Sequence, residues 1–469
     1  MILFHRYVGI GIGLLMVAWC LSGVVMMYVP FPNLPETARI GALAPIDWTG
    51  CCAAELADVH QDQGIGSFEA EMFAGRLVLR IRPNSAPPRT VDLNTGDGIS
   101  SISTADAARV AAAFGQGNAA EPALISRDQW TVSGEFNADR PLYRVALNDA
   151  AKTEIYVSHS SGRAVQRTTL FSRVWSWLGA VPHWLYFTGL RQNVGLWSQV
   201  VIYTSLTGCF LTLTGLYIGI RQTWVVRKGG KWSPYRNFML WHHIPGLVFG
   251  IFTLTWVMSG LFSMNPWGFL DGAGANGERQ AIRGAPFTGK VMFEALGALS
   301  HSGPQPALVS INSAPLNGQL FVIGVTADGR RRRLDARGQP APMTPAELSF
   351  IGEKLGSRAA PELLETEDTY YFAHAVDQAD LPVYRVIGDD SARTVYYIDP
   401  VSGALRAKMD GNRKGYRWLF EGLHRLDFVS VIRSRPAWDI LMIILLGGVT
   451  LVCGIGTYLG FRRISPFRR

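Results

Sequence analysis

The chain has 469 residues, 48% of them hydrophobic and 17% charged, and a net charge of +8. That is too apolar for an ordinary soluble protein and too polar for one built only of membrane spans. The composition predicts a membrane protein with large water-exposed domains. Its basic charge, placed beside apolar runs, argues for a membrane surface and against a nucleic-acid partner.

The first predicted element is a span at 7–29, inside "LFHRYVGIGIGLLMVAWCLSGVVMM". Its length, and the lack of a small-x-small site before "VPFPNLPE", predict a retained anchor over a cleaved signal peptide. The next segment alternates as β-strands do at "RLVLRIRP", "RTVDLN", "LYRVAL" and "TEIYVS", with turn signals such as "NTGDG" and "HSSGR" between them. "STADAARVAAAFG" predicts a helix with Thr104 as N-cap and Gly115 as stop. A second span at 195–220 runs into the basic loop "RQTWVVRKGGKWSPYR". A third span at 240–264 leads to a second strand-rich segment containing "QLFVIGV", "GRRRRLDARG", "VYRVIG", "TVYYIDPVSGAL" and the helix "MTPAELSFIGEKLG". The fourth span, 438–461, ends in the basic tail "FRRISPFRR".

The predicted organisation is a first membrane helix (1–30), an α+β domain (31–170) and an interfacial helix with the second membrane helix (171–222). A basic loop (223–239) and a third membrane helix (240–264) follow. A second α+β domain (265–413), an interfacial helix with the fourth membrane helix (414–462) and a basic tail (463–469) complete it. Trp residues cluster near the span ends, as in an interfacial belt. The positive-inside rule puts Arg6, the basic loop, the tail and both termini in the cytoplasm, and the two α+β domains on the far side. Cys20, Cys209 and Cys453 fall inside spans and read as small apolar residues. Cys51 and Cys52 are adjacent, and neighbours are not expected to pair with each other.

The chain repeats itself. At an offset of 237, His5 falls on His242, Gly9 on Gly246, Gly13 on Gly250, Trp19 on Trp256 and Ser22 on Ser259. At an offset of 241, "LYRV" overlays "VYRV", Gly162 overlays Gly403, His183 overlays His424 and Gly215 overlays Gly456. The predicted fold is a four-helix transmembrane bundle with a pseudo-twofold along the membrane normal, carrying the two α+β domains.

Four of the nine His repeat: His5 with His242, and His183 with His424. The first pair lies at the cytoplasmic mouths of spans one and three, the second just before spans two and four. Imidazole in a membrane is costly unless occupied, and two facing imidazoles supply both axial ligands of a haem iron. Gly9, Gly13, Gly246 and Gly250 keep to the histidine's stripe of the helix and leave bare backbone for a flat ring, although glycines so spaced also let helices approach without a cofactor. His243 is a second choice of ligand to His242. His60, His159, His301 and His374 have no counterparts and read as incidental. No Cys-x-x-Cys-His predicts covalent attachment. Two haems at opposite faces would form an electron path, with Trp19 and Trp256 between the levels. No nucleotide-binding loop is present, so the electron donor lies outside the chain. Arg144 and Arg385 are candidates to attract an anionic chelate. The lack of carboxylate or thiolate clusters in the spans, where only Asp439 sits near an end, argues against an ion transporter.

The opening "HRYVGIGIGLLMVAWCLSGV", the run "PHWLYFTGLRQNVGLW" into the second span and "YRV…YYIDPVSGAL" resemble the PepSY-associated transmembrane family, which includes bacterial inner-membrane ferric-siderophore reductases. The resemblance covers nearly the whole chain. It implies four spans in the bacterial inner membrane, two periplasmic PepSY domains, and two b-type haems held by His5, His242, His183 and His424. The implied activity is electron transfer from an unidentified donor to a periplasmic ferric siderophore. The family's usual glycine after the pre-span His is replaced by "HWLYF" and "HRLDF". The alternative is a haem-free PepSY scaffold that binds peptides or restrains a protease.

Overall fold

A computed structural model describes residues 1–52, 62–115, 117–301, 307–373, 379–428 and 433–464. His60, His374 and the end of the basic tail lie outside these residues. The chain forms two compact units. One is helical and comprises Met1–Phe31, Ser172–Gly272 and Asn412–Arg469; the other is sheet-based and comprises Pro32–Phe171 and Ala273–Gly411.

The helical unit is built on four helices long and apolar enough to cross a membrane: Ile2–Met26, Val194–Arg227, Asn237–Ser263 and Ala437–Ile464. The first begins earlier than its apolar run, so His5 and Arg6 are helical; it stops just before the prolines at 30 and 32, which exclude helix from the residues preceding them. The second continues through the basic stretch to Arg227, because nothing breaks it before Gly229 and Gly230. Pro245 lies inside the third and cannot donate the helical bond to the Trp241 carbonyl. Small residues set the packing. A Cβ on Gly208 would meet Val257 at 2.8 Å, and one on Gly460 would meet Ile10 at 2.8 Å. Cys20, Met27, Met442, Leu446 and Val449 form a buried cluster between the first and fourth helices.

Among the described residues, the sheet unit takes eight strands from each segment of the repeat. The first supplies β1 (Gly64–Phe73), β2 (Arg76–Pro83), β3 (Arg89–Asp92), β4 (Gly98–Ile99), β5 (Ala123–Ile125), β6 (Leu142–Ala146), β7 (Glu154–Ser158) and β8 (Ala164–Thr168). The second supplies β9 (Phe287–Thr288), β10 (Leu308–Ser313), β11 (Phe321–Thr326), β12 (Arg331–Asp335), β13 (Glu362–Leu364), β14 (Val383–Ile387), β15 (Val395–Ile398) and β16 (Leu405–Met409). Strands β5–β8 and β13–β16 form two four-stranded antiparallel sheets, one per segment. The others share an eight-stranded sheet in the order β12-β11-β10-β1-β2-β3-β4, with β9 on β1.

The seam of that sheet is the antiparallel pair β1–β10, where Ala70 faces Ile311, Glu69 faces Asn312 and Glu71 faces Ser310. Ala70 and Ile311 are also equivalent at the 241 offset, so a local twofold passes through their pair. Pairing closes two edges that would each expose a row of open N–H and C=O groups.

Two sequence expectations are corrected here. The helix after β4 runs Thr104–Ala112 with Ser103, not Thr104, as its N-cap. The Ser103 hydroxyl accepts from the Asp106 N–H at 3.1 Å while the Asp106 carboxylate accepts from Ser103, a reciprocal box that Thr104 cannot make. In the second segment the helix Pro345–Lys354 has the same box between Thr344 and Glu347. Cys51 and Cys52 are bonded to each other across a cis peptide. This corrects the expectation that neighbouring cysteines do not pair with each other.

Candidate functional site

The helical unit brings the four repeated histidines together as two pairs. The rings of His5 and His242 lie 6.2 Å apart between centroids, and those of His183 and His424 lie 6.0 Å apart. Each pair takes one residue from each half of the repeat. At about 1.5 Å of rise per residue, the run from His5 to Trp19 separates the two levels by roughly 20 Å along the first helix.

Every one of these rings is held by its Nδ1. His5 Nδ1 donates to the Leu211 carbonyl at 3.0 Å, and His242 Nδ1 donates to the Val452 carbonyl at 3.1 Å. Leu211 and Val452 are themselves equivalent at the 241 offset. At the other level His183 Nδ1 lies 3.1 Å from both the Trp19 carbonyl and the Ser22 hydroxyl. His424 Nδ1 lies 2.9 Å from the Ser259 hydroxyl and also bonds the Trp256 carbonyl. Ser22 and Ser259 spend their own protons on the carbonyls of Trp19 and Trp256, so their oxygens accept from the imidazoles. Both serines are buried. Among the described residues no hydrogen bond reaches Nε2 of any of the four rings. A fixed Nδ1–H leaves the Nε2 lone pair free, the tautomer a metal ligand needs.

Local chain geometry aims the second pair. His183 sits on the short helix Ala180–Trp184, and His424 on Leu423–Arg425. Each is ended by a left-handed leucine, Leu185 and Leu426, the residues the repeat also matches. Indole N–H bonds then pin the turns. Trp197 Nε1 donates to the Trp184 carbonyl at 2.8 Å, and Trp438 Nε1 donates to the Arg425 carbonyl at 2.7 Å. Burial pushes His183 down to about 4; burial, then the facing His183 and Arg425, push His424 down to about 3. Both rings are therefore neutral at pH 7 and available as donors.

The fit of these residues to a haem rests on three observations. A first-row metal lies about 2 Å from an imidazole nitrogen, so two facing rings about 6 Å apart between centroids, as in both pairs, would leave room for one metal ion between them. A cavity of about 490 Å3 surrounds the His5–His242 pair and is lined by Gly9, Gly13, Gly246 and Gly250, within the size range of cofactor sites. The indole N–H groups of Trp19 and Trp256 are buried and without a hydrogen-bond acceptor among the described residues, at equivalent places one turn from Ser22 and Ser259.

The glycines divide by role. A Cβ on Gly13 would meet Thr457 Oγ1 at 2.5 Å, and one on Gly250 would meet Leu216 at 2.7 Å, so these two serve helix approach as well as the cavity. At Gly9 and Gly246 the nearest atoms are 3.6 and 3.7 Å away, which leaves room. Two glycines the sequence reading matched but gave no role do more. A Cβ on Gly215 would meet His5 Cε1 at 2.6 Å, and one on Gly456 would meet His242 Cε1 at 2.8 Å. Their signal was the repeat itself, placed on the partner helix that faces each ring.

The remaining candidates stand elsewhere. His243 uses both nitrogens, Nδ1 with the Ser233 hydroxyl at 2.8 Å and Nε2 with the Gly219 carbonyl at 2.9 Å, and has no free donor atom. Arg385 is ion-paired with Glu362 and Asp368, whereas Arg144 is exposed on β6. Asp439 lies 3.8 Å from Arg435. His159 packs near Tyr143, and His301 bonds the Gly297 carbonyl. The two halves differ around the second pair. Arg417, fully buried, donates to Asp427 at 2.9 Å, while Ser176 and Tyr186 occupy the equivalent places in the first half.

Neither family models nor curated proteins give a match to this chain.

Proposed function

We propose that this protein is a four-pass haem protein of the bacterial inner membrane, carrying electrons from one face to the other and reducing ferric siderophores in the periplasm. The sheet unit, read as two PepSY-type domains joined at one seam, lies on the periplasmic side in this reading, and both termini lie in the cytoplasm. The observation that carries it is the pair of imidazole couples, each about 6 Å between centroids, each with Nδ1 tied down and Nε2 free.

A haem b at each couple supplies reversible one-electron exchange between ferric and ferrous iron. The chain's own residues do the rest. Leu211, Val452, Trp19, Trp256, Ser22 and Ser259 fix the tautomers and ring orientations. Gly215 and Gly456 make room for the first couple. With haem held at both couples, an external donor would give up one electron at the His5–His242 end and one ferric ion would be reduced to ferrous at the other, where hard oxygen ligands would hold it far more weakly.

The test is a reduced-minus-oxidised visible spectrum of the purified protein with pyridine haemochrome quantitation. A low-spin b-type spectrum with about two haems per chain is expected. A colourless protein, expressed with haem available, overturns this function and leaves a haem-free PepSY scaffold.

A further inference from the structure

The sheet unit is a duplication whose two copies carry different side-chain volume and charge at equivalent places. In the first copy the Phe73 ring is buried against Gly162. Around it Arg39, Arg80 and Arg163 form a charge network with Glu36, Glu69 and Glu71; Arg39 reaches Glu71 at 2.5 Å and Arg80 reaches it at 2.8 Å. At the 241 offset the second copy replaces Phe73 by Ala314, Arg163 by Ala404, Glu71 by Asn312 and Glu69 by Ser310. Every one of these replacements removes volume or charge. A cavity of about 480 Å3 is lined by Ala314, Asn312 and Ala404, while Met343 and Leu316 approach Gly403, the equivalent of Gly162.

The cavity has an apolar floor and a cationic rim. Ile282, Ile323 and Val325 form the floor. The carboxylates at the rim are committed: Glu36 to Arg39 at 2.7 Å, and Asp380 to Arg406 at 2.9 Å. Arg331 is likewise paired with Asp399. Two cations are not. Arg279 and Arg283 stand one turn apart on the helix Asn276–Arg283, both line the cavity, and neither has an ion-pair partner among the described residues. The neighbouring Glu278 is bonded to Lys408 at 2.5 Å. Unpaired guanidinium groups over an apolar pocket fit a ligand with a carboxylate head and an apolar body.

We propose that this cavity is a binding site for a small amphipathic carboxylate, its head between Arg279 and Arg283 and its body against Ile282, Ile323 and Val325. The site stands on the sheet unit alone and does not depend on the haem reading.

The experiment is equilibrium dialysis of radiolabelled salicylate against the full chain in nanodiscs, with empty nanodiscs as blank. Saturable binding of about one salicylate per chain is expected. Ala314→Phe, which installs the ring the first copy already carries, should abolish it. Arg279→Gln with Arg283→Gln should weaken it about tenfold or more, and Lys290→Gln, at an exposed position that does not line the cavity, should leave it unchanged. No saturable binding to the native chain, or binding unaltered by the double Arg variant, overturns the proposal. So does unaltered binding in a folded Ala314→Phe protein. If thermal unfolding shows that Ala314→Phe does not fold, the surface Arg variants decide alone.

Discussion

Gly215 and Gly23 both face a histidine of the candidate site, but at different distances. A methyl group at Gly215 would sit 2.6 Å from His5, whereas one at Gly23 would sit 3.5 Å from His183, an ordinary contact. Gly215→Ala must therefore move the ring or the helix, and Gly23→Ala need not. The expected outcome is loss of one of two haems in Gly215→Ala and retention of both in Gly23→Ala, measured by pyridine haemochrome. His5→Ala and His183→Ala should likewise each remove about one haem, and His243→Ala should remove none. A second residue-scale case lies in the sheet unit. Burial pushes the Asp399 carboxyl up, but bonds from Arg331, the Ser402 N–H and Arg406 outweigh it and hold it well below the usual carboxylate range. A depressed folded-state value means stability that is present above the unfolded value of about 4 and is lost as pH falls below it. The melting temperature of the full chain should thus drop on acidification below about pH 4, and Asp399→Asn should flatten that dependence while costing about 3 kcal/mol at pH 7 by leaving the Arg331 guanidinium without its carboxylate and Arg406 with Asp380 alone.

At the scale of elements, most of the architecture is legible in the sequence because single-segment patterns encode it. The four apolar helices follow from uninterrupted hydrophobic runs, and strands such as β2, β6 and β7 from alternation and β-branched content. Boundaries are less legible. The second long helix runs to Arg227 because charge does not stop a helix; it ends where two consecutive glycines, Gly229 and Gly230, follow. Ser103 takes the cap from Thr104 because the choice depends on which hydroxyl can exchange bonds with Asp106. The Cys51–Cys52 bond was not legible, since adjacency alone does not signal that two cysteines pair with each other. The site histidines were legible through repetition, but their Nδ1 partners were not. Leu211 and Val452 contribute only backbone carbonyls, and a carbonyl leaves no trace in residue identity.

At the scale of the whole molecule, the seam β1–β10 was the feature hardest to foresee. Strand-rich segments more than two hundred residues apart read as separate domains, because nothing within either one says that its edge strand is waiting for its own copy. The same sharing holds in the helical unit, where each imidazole couple needs both halves. A chain cut in the loop at Gly229–Gly230 tests this. The two halves, expressed together, should copurify and carry haem, while either half alone should carry none as a monomer and should aggregate or self-associate through its open strand edge. Size-exclusion chromatography with absorbance at the haem band reads both outcomes.

The twofold through Ala70 and Ile311 also bears on how such a molecule could arise and change. A half-length ancestor would assemble as a dimer of identical chains, and any substitution in it would appear on both sides of the axis at once. Phe73 and Ala314 could not then coexist, nor could Ser176 and Arg417. Joining the copies in one gene released that constraint. One side could keep the ancestral solution and preserve folding while the other drifted toward a new ligand, and a mutation costly in both copies became affordable in one.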